Sequence, residues 1–137
     1  DDHWVDSVKK VSDTSWSKKY RNQDFVTADY YVTKKDSIVT QVMKDSSGHV
    51  RQVLASKYDL IRLVFAQYYP NGQLMAKLPL DSLGKNHGEA KYYYENGIIK
   101  SLGNYNHGFY IGQWKNYDTM GKYISMDNYN SDGQLIK

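Results

Sequence analysis

The chain has 137 residues, a net charge of +3 and no cysteine. This length favours a single domain, residues 1–137, whose core needs no disulfide bonds. The missing cysteines exclude a disulfide, a thiol nucleophile and a cysteine metal site. Neither half of the chain is a basic block, which argues against a nucleic-acid partner, and no stretch approaches the roughly 20 apolar residues of a membrane-spanning helix.

The first 22 residues are polar and carry a few apolar residues at helix-like spacing: Trp4, Val5, Val8 and Val11. This pattern predicts a short N-terminal helix or an irregular lead-in. Trp16 and Tyr20 continue the spacing and would anchor the helix to a sheet. The chain opens at Asp1 without an initiator methionine, so we expect a matured protein whose targeting segment or lipid anchor would precede Asp1.

From residue 24 the hydrophobic period changes to two, which predicts strands. Four strands are predicted in this region, at Phe25–Thr33, Ile38–Lys44, Val50–Ala55 and Leu60–Tyr69. Their connections are too short for crossover helices, so residues 1–62 are predicted to form an antiparallel β-meander. The fourth strand is almost wholly apolar, which predicts that both of its faces are covered.

The C-terminal half repeats a phrase in which a tyrosine stands four positions before a glycine. The four pairs are Tyr68/Gly72, Tyr93/Gly97, Tyr117/Gly121 and Tyr129/Gly133. The first three glycines are 25 and 24 residues apart, and the fourth follows after 12. A fixed period of this kind indicates a repeat architecture.

Each repeat is predicted to be a strand, a glycine turn, a second strand and another turn. The second strands are expected at Gln73–Leu80, Ile98–Tyr105 and Lys122–Tyr129. Alignment on the glycines places Phe65, Ala90 and Trp114 at one position, which suggests a shared core slot filled unevenly. Because hairpins cannot bury a face alone, residues 63–137 are predicted to stack their hairpins in an all-β fold that continues the meander.

The segment from Gly108 to Tyr117, followed by Gly121 and Lys122, resembles the MORN repeat, the membrane occupation and recognition nexus motif. It is more similar to the bacterial variant of that repeat, in which Gly, one residue, an aromatic, two residues and Tyr precede an acidic or Asn residue and Gly. The segment Gly88–Gly97 fits this pattern, with Ala90 in place of the aromatic residue. The resemblance covers about residues 63–137.

The resemblance implies antiparallel hairpins stacked into an elongated, curved sheet. It implies no catalytic residues. Many bacterial members carry antitoxin-like or immunity-like annotation, and others are exported lipoproteins without assigned roles. Because one fold can host many functions, we look for the function in the side chains of the chain.

The residues themselves give little indication of catalysis. The chain has no Gly-x-Ser-x-Gly motif and no phosphate-binding loop, so we predict a protein that is not an enzyme and takes no cofactor. His87 and His107 occupy equivalent turns and could be imagined to share a metal ion. No acidic cluster or third ligand accompanies them in the sequence, so we predict no metal site.

Tyrosine is the unusual feature, with 14 residues, ten of them from Tyr68 onward. We predict a partner-binding surface on the repeat sheet, flanked by lysines that would suit an acidic partner: Tyr92, Tyr94, Tyr110, Trp114, Lys91, Lys115 and the nearby Lys122. Tyrosine and tryptophan are enriched at the centres of protein interfaces. The alternative is that these rings stack repeat on repeat as an ordinary core.

Two functions remain open at this point. The first is a protein-binding immunity or antitoxin protein that neutralises a cognate toxin. The second is an exported envelope lipoprotein with a structural, glycan-binding or other ligand-binding role, since aromatic faces also stack on sugar rings. We expect the protein in the bacterial envelope or periplasm, with the cytoplasm as the alternative.

Overall fold

The computed structural model describes residues 3–19, 27–58 and 61–137. A helix, α1 (His3–Val11), is followed by eleven strands. The strands are β1 (Thr14–Lys19), β2 (Thr27–Thr33), β3 (Ile38–Lys44), β4 (Val50–Lys57), β5 (Ile61–Tyr68), β6 (Leu74–Pro79), β7 (Gly88–Tyr93), β8 (Ile99–Asn106), β9 (Phe109–Tyr117), β10 (Tyr123–Tyr129) and β11 (Leu135–Ile136). The all-β prediction and the short N-terminal helix are confirmed. In the described part of the chain, no helix is long and apolar enough to cross a bilayer.

All eleven strands belong to one open sheet, in which spatial order equals chain order. Every strand pairs with the next in antiparallel fashion, so the meander continues without interruption into the repeat hairpins. At about 4.8 Å per strand spacing the sheet extends about 48 Å across its strands. A nine-residue strand, the longest here, covers about 31 Å at about 3.4 Å per residue. The sheet is therefore elongated across its strands.

The core consists of two clusters on opposite faces of this sheet. The first contains Val5, Val42, Val53, Ala66, Tyr68 and Leu74, and the second contains Ala76, Leu78, Ala90, Tyr105 and Trp114. Ala66 lies opposite Lys77, whose chain neighbours Ala76 and Leu78 belong to the second cluster. Because successive strand residues point to opposite faces, the two clusters are separated by the sheet itself. We call the two sides the helix face, after Val5 of α1, and the aromatic face.

The N-terminal region differs from the prediction in one strand. Trp16 does not continue the helix, because α1 ends at Val11 and the Asp13 N–H already donates to the Val32 carbonyl. Trp16 lies in β1, where its ring stacks on Tyr30 with centroids 5.0 Å apart. The meander thus has five strands where four were predicted. The predicted anchor Tyr20 lies outside the described residues.

The prediction that the apolar strand β5 is covered on both faces is wrong. Ile61 is 41% exposed, and Leu63 and Phe65 are only half-buried. A single sheet has no second layer of strands to cover it, so β5 obtains its full burial only at Ala66 and Tyr68. Its apolar composition reflects two partly buried faces.

Candidate functional site

The glycine turns of the repeats hold successive hairpins together through their side chains. In the first turn Gly72 adopts a positive φ of 88°, and the Asn71 side-chain oxygen accepts from the Gln73 N–H. The same Asn71 amide donates to the Glu95 carbonyl of the next turn at 3.0 Å. The hydroxyl of Tyr69 donates to the Tyr93 carbonyl at 2.7 Å. One turn therefore clamps the following one.

The second turn repeats these contacts one period later. The Tyr94 hydroxyl donates to the Tyr117 carbonyl at 2.8 Å, and the Asn96 amide donates to the Thr119 carbonyl at 2.8 Å. The third turn has Asp118 in place of the clamping tyrosine. The Asp118 carboxylate instead accepts from backbone N–H groups of its own turn. This series of clamps therefore ends there, and it holds β7 to β10 in fixed positions.

On the aromatic face these strands place a tryptophan against bare backbone. The Trp114 side chain is 6% exposed, and its indole N–H donates to the Asn104 carbonyl at 3.0 Å. A Cβ built on Gly103 would lie 2.1 Å from the Trp114 ring. Ala90, directly across from Gly103, is fully buried. The predicted core slot thus exists, and small residues in β7 and β8 make room for the indole.

Around this tryptophan the aromatic face opens into a cleft of about 360 Å³. Five rings and four polar side chains line it: Tyr92, Tyr105, Tyr110, Trp114 and Tyr129, with Lys100, Ser101, Asn116 and Asp127. The size is near the lower end for small-ligand sites, about 300–1,000 Å³. The cleft therefore suits one small molecule or one side chain of a partner. We refer to it below as the aromatic cleft.

The rings of the cleft pack against one another and leave one of them accessible. Tyr110 stacks on Tyr105 with centroids 5.2 Å apart and meets the edge of Trp114 at 4.9 Å. Tyr129 lies 5.0 Å from Tyr110 on a tilted plane. Tyr110 is 44% exposed, whereas Tyr105 is 9% exposed. Tyr110 is thus a rigid ring supported from below and open to solvent.

Two phenols at the wall of the cleft are joined by a hydrogen bond. The hydroxyl oxygens of Tyr92 and Tyr105 are 2.7 Å apart. Burial raises the pKa of Tyr105, and its hydrogen bond with Tyr92 raises it further. Burial also raises the pKa of Tyr92, which the same hydrogen bond partly offsets. Both phenols are therefore neutral at physiological pH and serve as hydrogen-bonding groups rather than as bases.

The polar residues of the cleft are only partly occupied by internal bonds. Ser101 Oγ donates to Asn116 Oδ1 at 2.9 Å, and the Asn116 amide donates to Ser125 Oγ at 3.3 Å. Asp127 lies opposite Trp114 in the ladder between β9 and β10. Burial, with the Asp127 charge as a further cause, raises the pKa of Tyr129. The cleft thus combines aromatic rings with one carboxylate, that of Asp127, and one ammonium, that of Lys100.

The structure brings together three of the predicted site residues and separates the others. Tyr92, Tyr110 and Trp114 all line the aromatic cleft. Lys91 pairs with Lys77 and Leu102 and therefore points to the helix face. Lys115 also pairs with Leu102 and points the same way, so these two lysines lie on the side of the sheet opposite to the aromatic cleft.

Tyr94 is not among the residues that line the aromatic cleft with Tyr92. The regular strand β7 ends at Tyr93. The register between Tyr92 and Tyr93 skips Lys100, so the extra residue of this bulge lies in β8. Tyr94 instead lies at the turn, where its hydroxyl clamps Tyr117 and the Lys100 ammonium lies 5.6 Å above its ring. Lys122 follows the Gly121 turn and bonds to Asp118 through its backbone.

The two turn histidines are adjacent, with ring centroids 4.1 Å apart. His107 Nδ1 lies 2.7 Å from an Asp81 oxygen, and the His107 backbone N–H donates to His87 Nδ1 at 3.1 Å. The hydrogen bond from His107 lowers the pKa of the Asp81 carboxyl, with the Lys85 backbone N–H as the next cause. Over the described residues, no group of three His, Cys, Asp or Glu is placed to hold a metal ion. The cluster joins the turn at Asp81, the residue before β7 and the turn between β8 and β9, and the sequence missed Asp81 because it lies 26 residues from His107.

Sequence reasoning also missed Tyr105, Tyr129 and Asp127 as members of the cleft. Tyr105 could have been found, because it pairs with Tyr110 across the tight Asn106–Gly108 turn. Tyr129 carried the repeat signal, but only as a turn marker. Asp127 gave no signal, since its position opposite Trp114 depends on the register of β10.

Comparison with known families adds one finding. Residues 64–81 and 86–107 match the family model described as MORN repeat variant. The matched ranges contain most of β5 and all of β6, β7 and β8, so these hairpins are similar to MORN-variant repeats. Repeats of this kind are typically binding modules. No protein with a curated description matches the chain.

Proposed function

We propose that this MORN-repeat protein is a non-catalytic module that binds another protein through the aromatic face of its repeat strands. The aromatic cleft carries the proposal, because it offers rigid rings on a side of the sheet that no second layer of described residues covers. Interface centres are enriched in tyrosine and tryptophan held in well-packed surroundings. The clamps at Tyr69 and Tyr94 hold these strands in place before a partner arrives.

The chemistry of the cleft favours binding over catalysis. Its lining contains a single carboxylate, Asp127, and no histidine. General acid–base catalysis at neutral pH needs a group whose pKa lies near the working pH, and the raised pKa values of Tyr92 and Tyr105 move these phenols away from it. The face therefore recognises a partner without transforming it.

In its more specific form, we propose an immunity protein that occludes a cognate toxin. The support is the similarity of the Gly88–Gly97 and Gly108–Tyr117 segments to the bacterial repeat variant. We place the protein in the bacterial envelope, where a toxin that acts on the envelope would be met. A second candidate, a glycan-binding envelope protein, is favoured by the exposed Tyr110 ring beside the polar residues of the cleft.

The test is co-purification with the product of the adjacent gene. We expect a stoichiometric complex that Tyr110→Ala weakens, because this ring is exposed and central in the cleft. Tyr58→Ala is the matched control, since Tyr58 is 62% exposed but lies at the turn after β4. Thermal unfolding of both variants shows whether the fold is retained.

Three outcomes contradict parts of the proposal. If the folded protein retains no specific protein partner, the protein-binding proposal is wrong and glycan binding becomes the leading candidate. If Tyr110→Ala and Tyr58→Ala weaken the complex equally, the aromatic face is not the docking surface. A complex with a protein that has no toxic activity on its own removes the immunity role and leaves the binding role intact.

A further inference from the structure

We infer that the aromatic cleft receives a guanidinium group, the end of an arginine side chain that a protein partner inserts. This inference rests on the proposed protein-binding function and names the chemistry that the face selects. The expected ligand of the cleft is a cation. Lys91 and Lys115, which would suit an acidic partner, point to the helix face instead.

The Asp127 carboxylate lines the cleft together with the Lys100 ammonium. Asp127 lies in β10, directly opposite Trp114 of β9, and its side chain is half-buried. In the part of the chain that the structure describes, its carboxylate has neither a salt bridge nor a side-chain hydrogen bond. A carboxylate withdrawn from water without a partner carries a cost that an incoming cation removes. A planar guanidinium matches a carboxylate with two parallel hydrogen bonds.

Several hydrogen-bonding groups of the cleft are already engaged. Three donors in and around it are used, because Ser101 donates to Asn116, Asn116 to Ser125 and Trp114 to the Asn104 carbonyl. Acceptors remain on Asp127 and on the oxygen of Ser101, with the Lys100 ammonium as a charged donor in the same lining. A guanidinium has five N–H donors and no acceptor, so it matches these acceptors.

The aromatic rings of the cleft also favour a cation. The face of an aromatic ring is electron-rich, and it attracts cations that lie within about 6 Å of the ring centroid. Trp114 and Tyr110 meet edge to face at 4.9 Å, and Tyr129 is tilted toward Tyr110 at 5.0 Å, so the walls are not parallel. A flat guanidinium can stack on one such wall while it pairs with the carboxylate.

Lys100 is the one feature that opposes a cation, and it gives the sharpest test. Its ammonium lies 5.6 Å above the Tyr94 ring, at the side of the cleft. Lys100 therefore lowers affinity for a cation without filling the site. Removing the lysine charge should strengthen binding, while removing the Asp127 charge should weaken it. A purely structural role of these residues predicts no such opposite signs.

The experiment titrates the full chain with N-acetyl-L-arginine methylamide and follows the Trp114 indole N–H and the tyrosine rings by NMR. The matched ligand is N-acetyl-L-citrulline methylamide, which has nearly the same shape without the charge. We expect a dissociation constant on the order of 1 mM for the arginine probe, the weak binding of one isolated side chain. We expect the citrulline probe to bind about tenfold more weakly, and methyl β-D-glucopyranoside to bind no better than citrulline.

The variants sharpen the result. Asp127→Asn should weaken the arginine probe about tenfold, since it removes the charge-assisted hydrogen bonds. Asp132→Asn is the control, because it removes the same charge from an exposed position in the next turn, outside the cleft lining. Its affinity should equal that of the parent. Lys100→Gln should bind the probe about threefold more tightly by relief of repulsion at the side of the cleft.

The inference is overturned if citrulline or the glucoside binds as tightly as arginine, or if Asp127→Asn and Asp132→Asn behave alike. Its failure is distinguishable from failure of the proposed function. If the partner complex survives Asp127→Asn, protein binding stands and the guanidinium inference is wrong. If the cleft selects arginine but the protein retains no partner, the guanidinium site stands and the proposed protein-binding function is wrong.

Discussion

The meander strands β1–β5 and the repeat strands β6–β10 follow the same up-and-down path, yet their two core clusters lie on opposite faces of one sheet. The cluster on the helix face contains Val42, Val53 and the larger Tyr68, and Val5 of α1 packs against it. In the repeats the buried residues pair an aromatic ring with the smallest side chains, as Trp114 does with Gly103 and Ala90. A common topology therefore does not determine which face becomes the core.

The turns differ in the same way. The meander turn at Asp45 caps itself, because the Asp45 carboxylate accepts from the Ser47 and His49 backbone N–H groups. The repeat turns at Tyr69 and Tyr94 use their side chains to reach the next hairpin. The meander thus gains cohesion from strand pairing and a covering helix. The repeats gain it from contacts between turns, which leave their aromatic face open for a partner.

The largest expected effect comes from Gly103→Ala, which tests the ring-on-backbone packing of the repeats. The new Cβ would lie 2.1 Å from the Trp114 ring, so the indole must move out of its slot. We expect a loss of about 3 kcal/mol in the free energy of unfolding, the upper end of the usual overpacking cost. Urea unfolding measures it, and hydrogen exchange should show the loss in β8–β10 before β2–β4.

A double-mutant cycle supplies the control for that substitution. In Gly103→Ala combined with Trp114→Leu, the smaller side chain relieves the clash. The double variant should therefore be more stable than the sum of the two single losses predicts. Additive losses would show that Gly103 acts through its backbone and not through the indole.

A smaller effect is expected from Tyr94→Phe, which removes one clamp between turns. The Tyr94 hydroxyl donates to the Tyr117 carbonyl at 2.8 Å, and a hydrogen bond of this kind contributes about 1 kcal/mol to stability. Tyr58→Phe is the matched control in the meander, since Tyr58 is exposed and should lose less than about 0.5 kcal/mol. Equal losses in thermal unfolding would remove the distinction between linking turns and self-capped turns.

The smallest effect is expected from Asp81→Asn, and it depends on pH. The hydrogen bond from His107 lowers the folded-state pKa of Asp81 below the ordinary 3.8. The carboxylate therefore adds stability above pH 3.8, and this contribution is lost as the pH falls through the lowered value. The parent should exceed Asp81→Asn in urea midpoint at pH 7, and the gap should close toward pH 2. A gap that stays constant with pH would show that the charge of Asp81 does not matter.

Much of the fold could be predicted from the sequence because the strands carry their own signals. The expected strand Ile38–Lys44 is β3, and the expected second strands of the repeats match β6, β8 and β10 to within one residue or two. Tyrosine, β-branched residues and glycine turns at fixed spacing are local features that each segment expresses alone. The strand at Trp16 escaped because its polar residues give no alternation of burial.

The site was predicted in part. Tyr92, Tyr110 and Trp114 were identified because a period of two places aromatics on one face of a strand. Lys91 and Lys115 were assigned to the wrong side because adjacent residues in a strand point apart. Tyr94 follows the end of β7 at Tyr93, and its hydroxyl bonds to the next turn, a long-range contact that the sequence does not show.

The sequence by itself determined an all-β chain of antiparallel hairpins, the repeat period and the glycine turns, since these depend on backbone conformation and on neighbours close along the chain. Only the tertiary structure decided which face is buried, where the apolar strand β5 is exposed, and that Asp127 meets Trp114 across β9 and β10. These facts depend on register and on what covers each face, which no single segment contains. The aromatic cleft exists because four strands bring residues 92 to 129 to one place.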